Sequence, residues 1–222
     1  MSDPLFGTYN RAPLSFVKGI GSWLQCGSGE WYLDLASGIA VNSLGHANAI
    51  LVEALKKQAG LIWHTSNLYA IPVQEELAHI LVSNTFADKV FFTNSGTESI
   101  ECCIKIARKF FFDKGLREKN KILTFEGSFH GRSMAAISAS GAKKLTGGFS
   151  PVLPGFQTVQ LDDITAIKSL NLDEFCGILI EPIQGEGGIV PSSKEFLRQL
   201  RQLCDENEIL LIFDEVQSGI GR

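Results

Sequence analysis

Basic charge is in short supply in this chain: 20 Lys and Arg stand against 24 Asp and Glu, for a formal net charge of −4. A nucleic acid or an anionic membrane surface selects a basic face, so neither partner is expected. Long apolar runs are missing too, since none approaches the ~18 residues needed to span a bilayer. The opening Met1-Ser2-Asp3-Pro4-Leu5 has no basic segment followed by an apolar one, which argues against a secretory signal. Cysteine is sparse and unpaired by spacing: Cys26, Cys102, Cys103, Cys176 and Cys204 include no C-x-x-C. An odd count without that motif disfavours a disulfide framework or a zinc site. His46, His64, His79 and His130 show no H-x-x-x-H, so no metal is expected. What remains is a soluble, acidic, cytoplasmic protein with 45% apolar residues, enough to build a core.

The N-terminal stretch reads as short strands at 14–18, 22–25 and 31–35, punctuated by Gly19, Gly21, Gly27 and Gly29. From about Ala47 the pattern becomes helices alternating with short, purely apolar strands. Leu51, Ala54, Leu55 and Gln58 mark one helix face, and Leu77, Ile80 and Leu81 a second entered through Pro72. KVFFT (89–93) is expected to be a strand, followed by a helix with Ile100, Ile104, Ala107 and Phe111 on one stripe. Further strands are expected at 122–125, 157–160, 177–180 and 209–213. Ser192-x-x-Glu195 reads as a capping box before the helix carrying Phe196, Leu197, Leu200, Leu203 and Cys204. Apolar strands alternating with helices imply an α/β fold: a mainly parallel sheet with helices on both faces, preceded by a small N-terminal β segment. In such sheets ligands bind beyond the carboxyl ends of the strands.

Four segments at those strand ends could carry chemistry. Asn94-Ser95-Gly96-Thr97-Glu98 opens a helix and could cradle a phosphate, although Ser and Thr cap helices without any ligand. Glu126-Gly127-Ser128-Phe129-His130-Gly131-Arg132 could stack an aromatic on a flat ligand and grip a carboxylate, or be a surface loop. Glu181-Pro182-Ile183-Gln184-Gly185-Glu186 places a Glu directly after an apolar strand, where burial is costly unless it is paired. Phe213-Asp214-Glu215-Val216-Gln217 would also suit a Walker B strand. That alternative needs an upstream G-x-x-x-x-G-K-[ST], and the nearest stretch, Gly127 to Ser133, is too short and has Arg132 in place of Lys. One ligand accounts for all four segments together. Pyridoxal phosphate needs an anion cradle, a stacking aromatic, a carboxylate at its ring nitrogen and a donor near its phenolic oxygen.

The stretches YLDLASGIAVNSLGH (32–46), WHTSNLY (63–69), FFTNSGTES (91–99), SFHGR (128–132), PVLPGF (151–156), ILIEPIQGEGG (178–188) and LLIFDEVQSGIGR (210–222) resemble the class III (subgroup II) pyridoxal-phosphate aminotransferases. The acetylornithine branch is the nearest match, and the similarity covers essentially the whole chain. The resemblance implies the large domain of a fold-type I transferase, with residues 1–46 part of a small domain and 47–222 the cofactor-binding domain. It also implies roles for individual residues. Gly96 and Thr97 would hold the cofactor phosphate, and Phe129 would stack on the ring. Asp214 would pair with the ring nitrogen, with Glu215, Val216 and Gln217 completing the cofactor site. Arg132 would bind the substrate carboxylate, and Glu186 would mask a second arginine.

The implied activity is transfer of the δ-amino group of N2-acetyl-L-ornithine to 2-oxoglutarate, a step of arginine biosynthesis, by a homodimer when the enzyme is whole. Ornithine, succinylornithine or 4-aminobutyrate transamination are the neighbouring alternatives. Two departures stand out. Asn48-Ala49 replaces the usual His-Pro, and Ser99 replaces the Ala of GTEA. The family's Schiff-base lysine matches no lysine here and is expected beyond Arg222. The chain therefore reads as the N-terminal part of such an enzyme and is expected to be inactive alone. A non-catalytic remnant is the alternative from another class.

Overall fold

The computed structural model describes residues 4–222. They fall into two compact units dividing at Val90/Phe91.

In the first unit, β1 (Phe16–Ile20), β2 (Trp23–Cys26) and β3 (Trp31–Leu33) form an antiparallel meander close to the expected positions. A single turn, α1 (Ser37–Ala40), follows with positive φ at every residue, including the non-glycines Ser37, Ile39 and Ala40. A left-handed turn costs roughly 1–2 kcal/mol for each residue with a Cβ. Asp34 holds it in place. Its Oδ1 accepts the N–H groups of Ala36 (3.1 Å) and Ser37 (2.8 Å), and its Oδ2 lies 2.7 Å from His46 Nε2. His46 in turn exchanges both backbone hydrogen bonds with Gly21. Pairing with His46 holds the Asp34 carboxyl below its ordinary value.

Helices α2 (Ala49–Ala59) and α3 (Pro72–Asn84) follow. Asn48, one of the departures from the family pattern, caps α2 by accepting from the N–H of Ile50 and Leu51. A missing proline is thus offset by a strong N-cap. Pro72 starts α3 at its first turn, where its absent N–H costs nothing.

The second unit is built on a parallel sheet in the order β5-β4-β6-β9, with β4 at Lys121–Phe125, β5 at Phe156–Val159, β6 at Phe175–Ile180 and β9 at Leu210–Phe213. Both faces are covered, as expected. Leu123, Phe125, Ile178 and Ile180 pack with Ile167 of α7 (Ile164–Lys168) and with Phe196, Leu200 and Leu203 of α8 (Lys194–Glu206). Ile122, Cys176 and Leu179 pack on the opposite side with Ile100, Ile104, Ala107 and Phe111 of α4 (Gly96–Asp113), and with Ala135, Ala136 and Ala139 of α5 (Met134–Ser140). The predicted stripe of α4 is the buried one. The adjacent Phe175 and Cys176 serve opposite cores by strand alternation, and the register shift between Lys121 and Ile122 resets that alternation so that Ile178 returns to the core of Phe175. A short turn, α6 (Lys143–Thr146), and a two-stranded hairpin of β7 (Ile183–Gln184) and β8 (Val190–Pro191) complete the unit.

Two expectations are corrected. KVFFT (89–93) forms no strand, because no ladder partner lies beside it among the described residues, and Phe91 is exposed. The cap of α8 is Ser193, whose Oγ accepts from Phe196 N–H, and not Ser192. Ser192 is held in the path that leaves β8, its N–H bonded to Pro182 O at 3.0 Å, and its Oγ is buried and accepts no helix N–H, so the helix begins one residue later.

Candidate functional site

The second unit gathers most of the expected site residues at the carboxyl ends of β4, β6 and β9. Ile180 of β6 pairs in register with Phe213 of β9, so Glu181 and Asp214 leave the sheet side by side, and both are buried. A bare carboxylate there would be expensive. Asp214 is answered by His130, whose Nδ1 lies 2.7 Å from Asp214 Oδ2, while Oδ1 accepts Val216 N–H at 3.1 Å. Glu181 Oε2 accepts Phe129 N–H at 2.8 Å. Burial pushes the Glu181 carboxyl above its ordinary value, and the Phe129 N–H and His130 oppose that shift.

The amino end of α4 lies against the same cluster. Ser95 caps it through Glu98 N–H at 3.2 Å, and Glu98 reaches back to Asn94 N–H at 2.6 Å. The N–H groups of Gly96 and Thr97 precede the first backbone bond of the helix, from Ser99 N–H to Ser95 O. They therefore lack an intrahelical acceptor and sit at the positive end of the helix dipole. A Cβ on Gly96 would come within 2.6 Å of Val216 Cγ1, and one on Gly131 within 2.9 Å of Thr97 Oγ1. Gly131 also has φ +119°, which favours glycine for a second reason. These close approaches bind the strand ends of β4 and β9 to the helix start. A Cβ on Gly185 would come within 3.2 Å of Gln217 Cγ, which joins the loop after β6 to the same group.

Gly96, Thr97, Phe129, Asp214, Val216 and Gln217 are thus brought together. Arg132, Glu186 and Glu215 are exposed, as are Val216 and Gln217 of that group. Three residues that sequence reasoning left without a role belong to it. His130 shares its buried hydrogen bond with Asp214, Glu181 holds Phe129, and Gln184 donates to Glu126 O at 2.8 Å. The signal for Glu181 was its place directly after four apolar residues. His130 and Gln184 offered only their positions in strand-end loops. Two polar atoms of the cluster, His130 Nε2 and Ser128 Oγ, are buried without a hydrogen-bond partner. Both atoms are free to bond a group that enters the cluster.

The aminotransferase class-III family model matches residues 7–222. The chain belongs to the class-III aminotransferase family. Among curated relatives it is 58% identical over 219 residues to the acetylornithine aminotransferase of Agrobacterium fabrum, covering 99% of this chain and 55% of that protein. Among solved structures it is similar to the N-acetylornithine aminotransferase of Stenotrophomonas maltophilia, at 36% identity and TM-score 0.81, covering 96% of this chain and 54% of that one. It also superposes on the ornithine aminotransferase of Toxoplasma gondii, crystallised with partial occupancy of PLP at its active site, at 29% identity and TM-score 0.89, covering 96% and 51%. The chain therefore spans about half the length of the relatives that it matches.

Proposed function

We propose that this chain is the cofactor-binding half of a pyridoxal-phosphate transaminase acting on N2-acetyl-L-ornithine and 2-oxoglutarate. The observation that carries the reading is the buried Asp214–His130 pair at a strand end beside the open amino end of α4. The residues fit the cofactor. The N–H groups of Gly96 and Thr97 suit a phosphate. Phe129, half-buried next to His130, suits the ring face, and Gln217 the phenolic oxygen. Asp214, already oriented by His130, would keep a ring nitrogen protonated. Pyridoxal phosphate supplies the electron sink for amino-group transfer, and the protein orients it and sets its charge. Val216, held against Gly96, limits how far the ring can shift. Arg132, with its planar fork, is our candidate for the substrate carboxylate, and Glu186 for masking a second cation.

The high identity to acetylornithine enzymes supports that substrate over ornithine. In the whole enzyme we assign residues 1–46 to the small domain and 47–222 to the large one, and expect a cytoplasmic homodimer. No helix among the described residues is long and apolar enough to cross a membrane. The family's lysine is not among the residues clustered at the strand ends, so residues 1–222 alone are expected to bind the cofactor non-covalently and not to turn over. Titration with pyridoxal phosphate, then borohydride treatment and mass spectrometry, tests this. Stoichiometric labelling of one lysine with transaminase turnover would overturn the lysine assignment, and absence of any binding would overturn the cofactor site.

A further inference from the structure

We propose that Glu181 and Gln184 form a buried clamp that positions the Phe129–His130 loop; that this loop serves a cofactor rests on the reading above, whereas the clamp itself rests on geometry. Both side chains are nearly inaccessible, at 5% and 4% exposure. Past Phe125 the chain keeps one ladder bond, from Glu126 N–H to Val159 O of β5 at 2.8 Å, and one turn bond, from Ser128 N–H to Phe125 O at 3.3 Å, before α5. Buried N–H and C=O groups on such a segment must find partners. Two of them find partners on the one loop that follows β6. Phe129 N–H donates to Glu181 Oε2 at 2.8 Å, and Glu126 O accepts from Gln184 Nε2 at 2.8 Å. The loop is held at two points three residues apart, on either side of Gly127 and Ser128.

Gly187 and Gly127 have a physical reason in this clamp. A Cβ on Gly187 would lie 2.8 Å from Gly127 O and 2.9 Å from Gln184 Oε1. One on Gly127 would lie 3.0 Å from the same Gln184 oxygen, at a φ of +77°. The Gly-rich segment is therefore shaped to seat the Gln184 amide between two loops. Glu181 does a second thing by its location. It stands beside Asp214, so an ionised Glu181 would repel the Asp214 carboxylate, and a bond from Phe129 N–H lets it stay buried in either protonation state. The group required at position 181 is then an acceptor, and not a charge.

The experiment separates acceptor from charge, and clamp from cofactor. Amide hydrogen exchange resolved to single residues and the dissociation constant for added pyridoxal phosphate are measured in the chain and in E181Q, E181A and Q184A. Glutamine retains the acceptor, so E181Q is expected to keep Phe129 N–H protection and cofactor affinity within about threefold. E181A is expected to speed Phe129 exchange by about tenfold or more and to weaken the cofactor similarly, while the β6 amides of 178–180 keep their protection. Q184A should release the backbone at 127–129 and weaken the cofactor in the same direction. An E181Q variant as impaired as E181A overturns the acceptor argument. Unchanged Phe129 exchange in E181A, or cofactor affinity unchanged despite a released Phe129, overturns the clamp. If the parent chain binds no pyridoxal phosphate while E181A still frees Phe129, the clamp stands and the cofactor reading fails. Should E181A not fold, E181Q and Q184A decide the matter through the same two measurements.

Discussion

The two compact units use the same local grammar and differ in what they bury. Up to Val90, Cys26 is the one buried residue among those described, and α2 and α3 bury none. Leu51, Leu55, Leu77 and Ile80, which mark the apolar faces of those helices, are all exposed. From Phe91 onward, two cores pack on the sheet, and α4 and α8 bury the residues that their periodicity marks. Helix starts are locally defined in both units: Asn48 caps α2 and Pro72 opens α3, whose cap residue Ile71 makes no side-chain bond, while Ser95, Ser133 and Ser193 cap helices of the second unit. Capping and periodicity are enough to define where a helix runs. Burial decides how firmly it is held, because helices gain most of their stability from packing one face.

The largest test compares two Asp–His pairs at the same 2.7 Å separation. His130 and Asp214 are sealed, with side-chain exposures of 0% and 5%, whereas His46 and Asp34 show 21% and 9%. Breaking a buried pair by removing one partner costs about 3–5 kcal/mol, so Asp214→Ala is expected to lose that much in urea denaturation. Asp34→Ala should lose clearly less, with its effect concentrated in the exchange of the Ala36 and Ser37 amides. Equal losses would erase the contrast between the units.

Next come apolar truncations. Leu200→Ala removes a fully buried side chain and should destabilise by roughly 2–5 kcal/mol. Leu55→Ala on α2, with that side chain 71% exposed, should stay within about 0.5 kcal/mol. A Leu55 cost like that of Leu200 would mean that α2 packs in solution against something outside the described arrangement.

Caps should behave alike in both units, which sharpens the contrast. Asn48→Ala and Ser193→Ala should each cost about 1 kcal/mol, measured as local opening of α2 and α8. A cap that matters only in the second unit would show that packing, and not the local bond, sets its value.

The smallest expected effect is in pH dependence, and its sign differs between the units. Glu181 is raised above the ordinary carboxylate value by burial. The folded state therefore keeps a proton that the unfolded chain has released, and stability falls as pH rises from the unfolded value through the folded one. Asp34 is lowered by its bond to His46, so the stability it contributes is present above the unfolded value and is lost as pH falls through the folded one. E181Q should flatten the first slope and Asp34→Asn the second, each read from urea midpoints across the acid range. A slope that survives its substitution assigns the titration to another group.

The sequence by itself determined much of this. Runs of apolar residues with helical stripes between them set the parallel sheet and its two cores, because period and burial are local properties written residue by residue. Glycines and acidic residues at the strand ends were legible as well, and the fold brings Asp214, Gly96, Thr97 and Phe129 to one end of the sheet. Packing decided the rest. KVFFT has strand composition but no ladder partner among the described residues, and Ser192 has capping chemistry but a buried Oγ that reaches no helix N–H. The left-handed turn 37–40 contains one glycine, and its shape is held by the reach of Asp34 to His46 and to the Ala36 and Ser37 amides together with backbone bonds such as Ala40 N–H to Ala36 O. The partnerships of His130 with Asp214 and of Glu181 with Phe129 join residues 84 and 52 positions apart. No local pattern encodes such a contact, because it exists only once parallel strands in register have carried distant loops to the same end of the sheet.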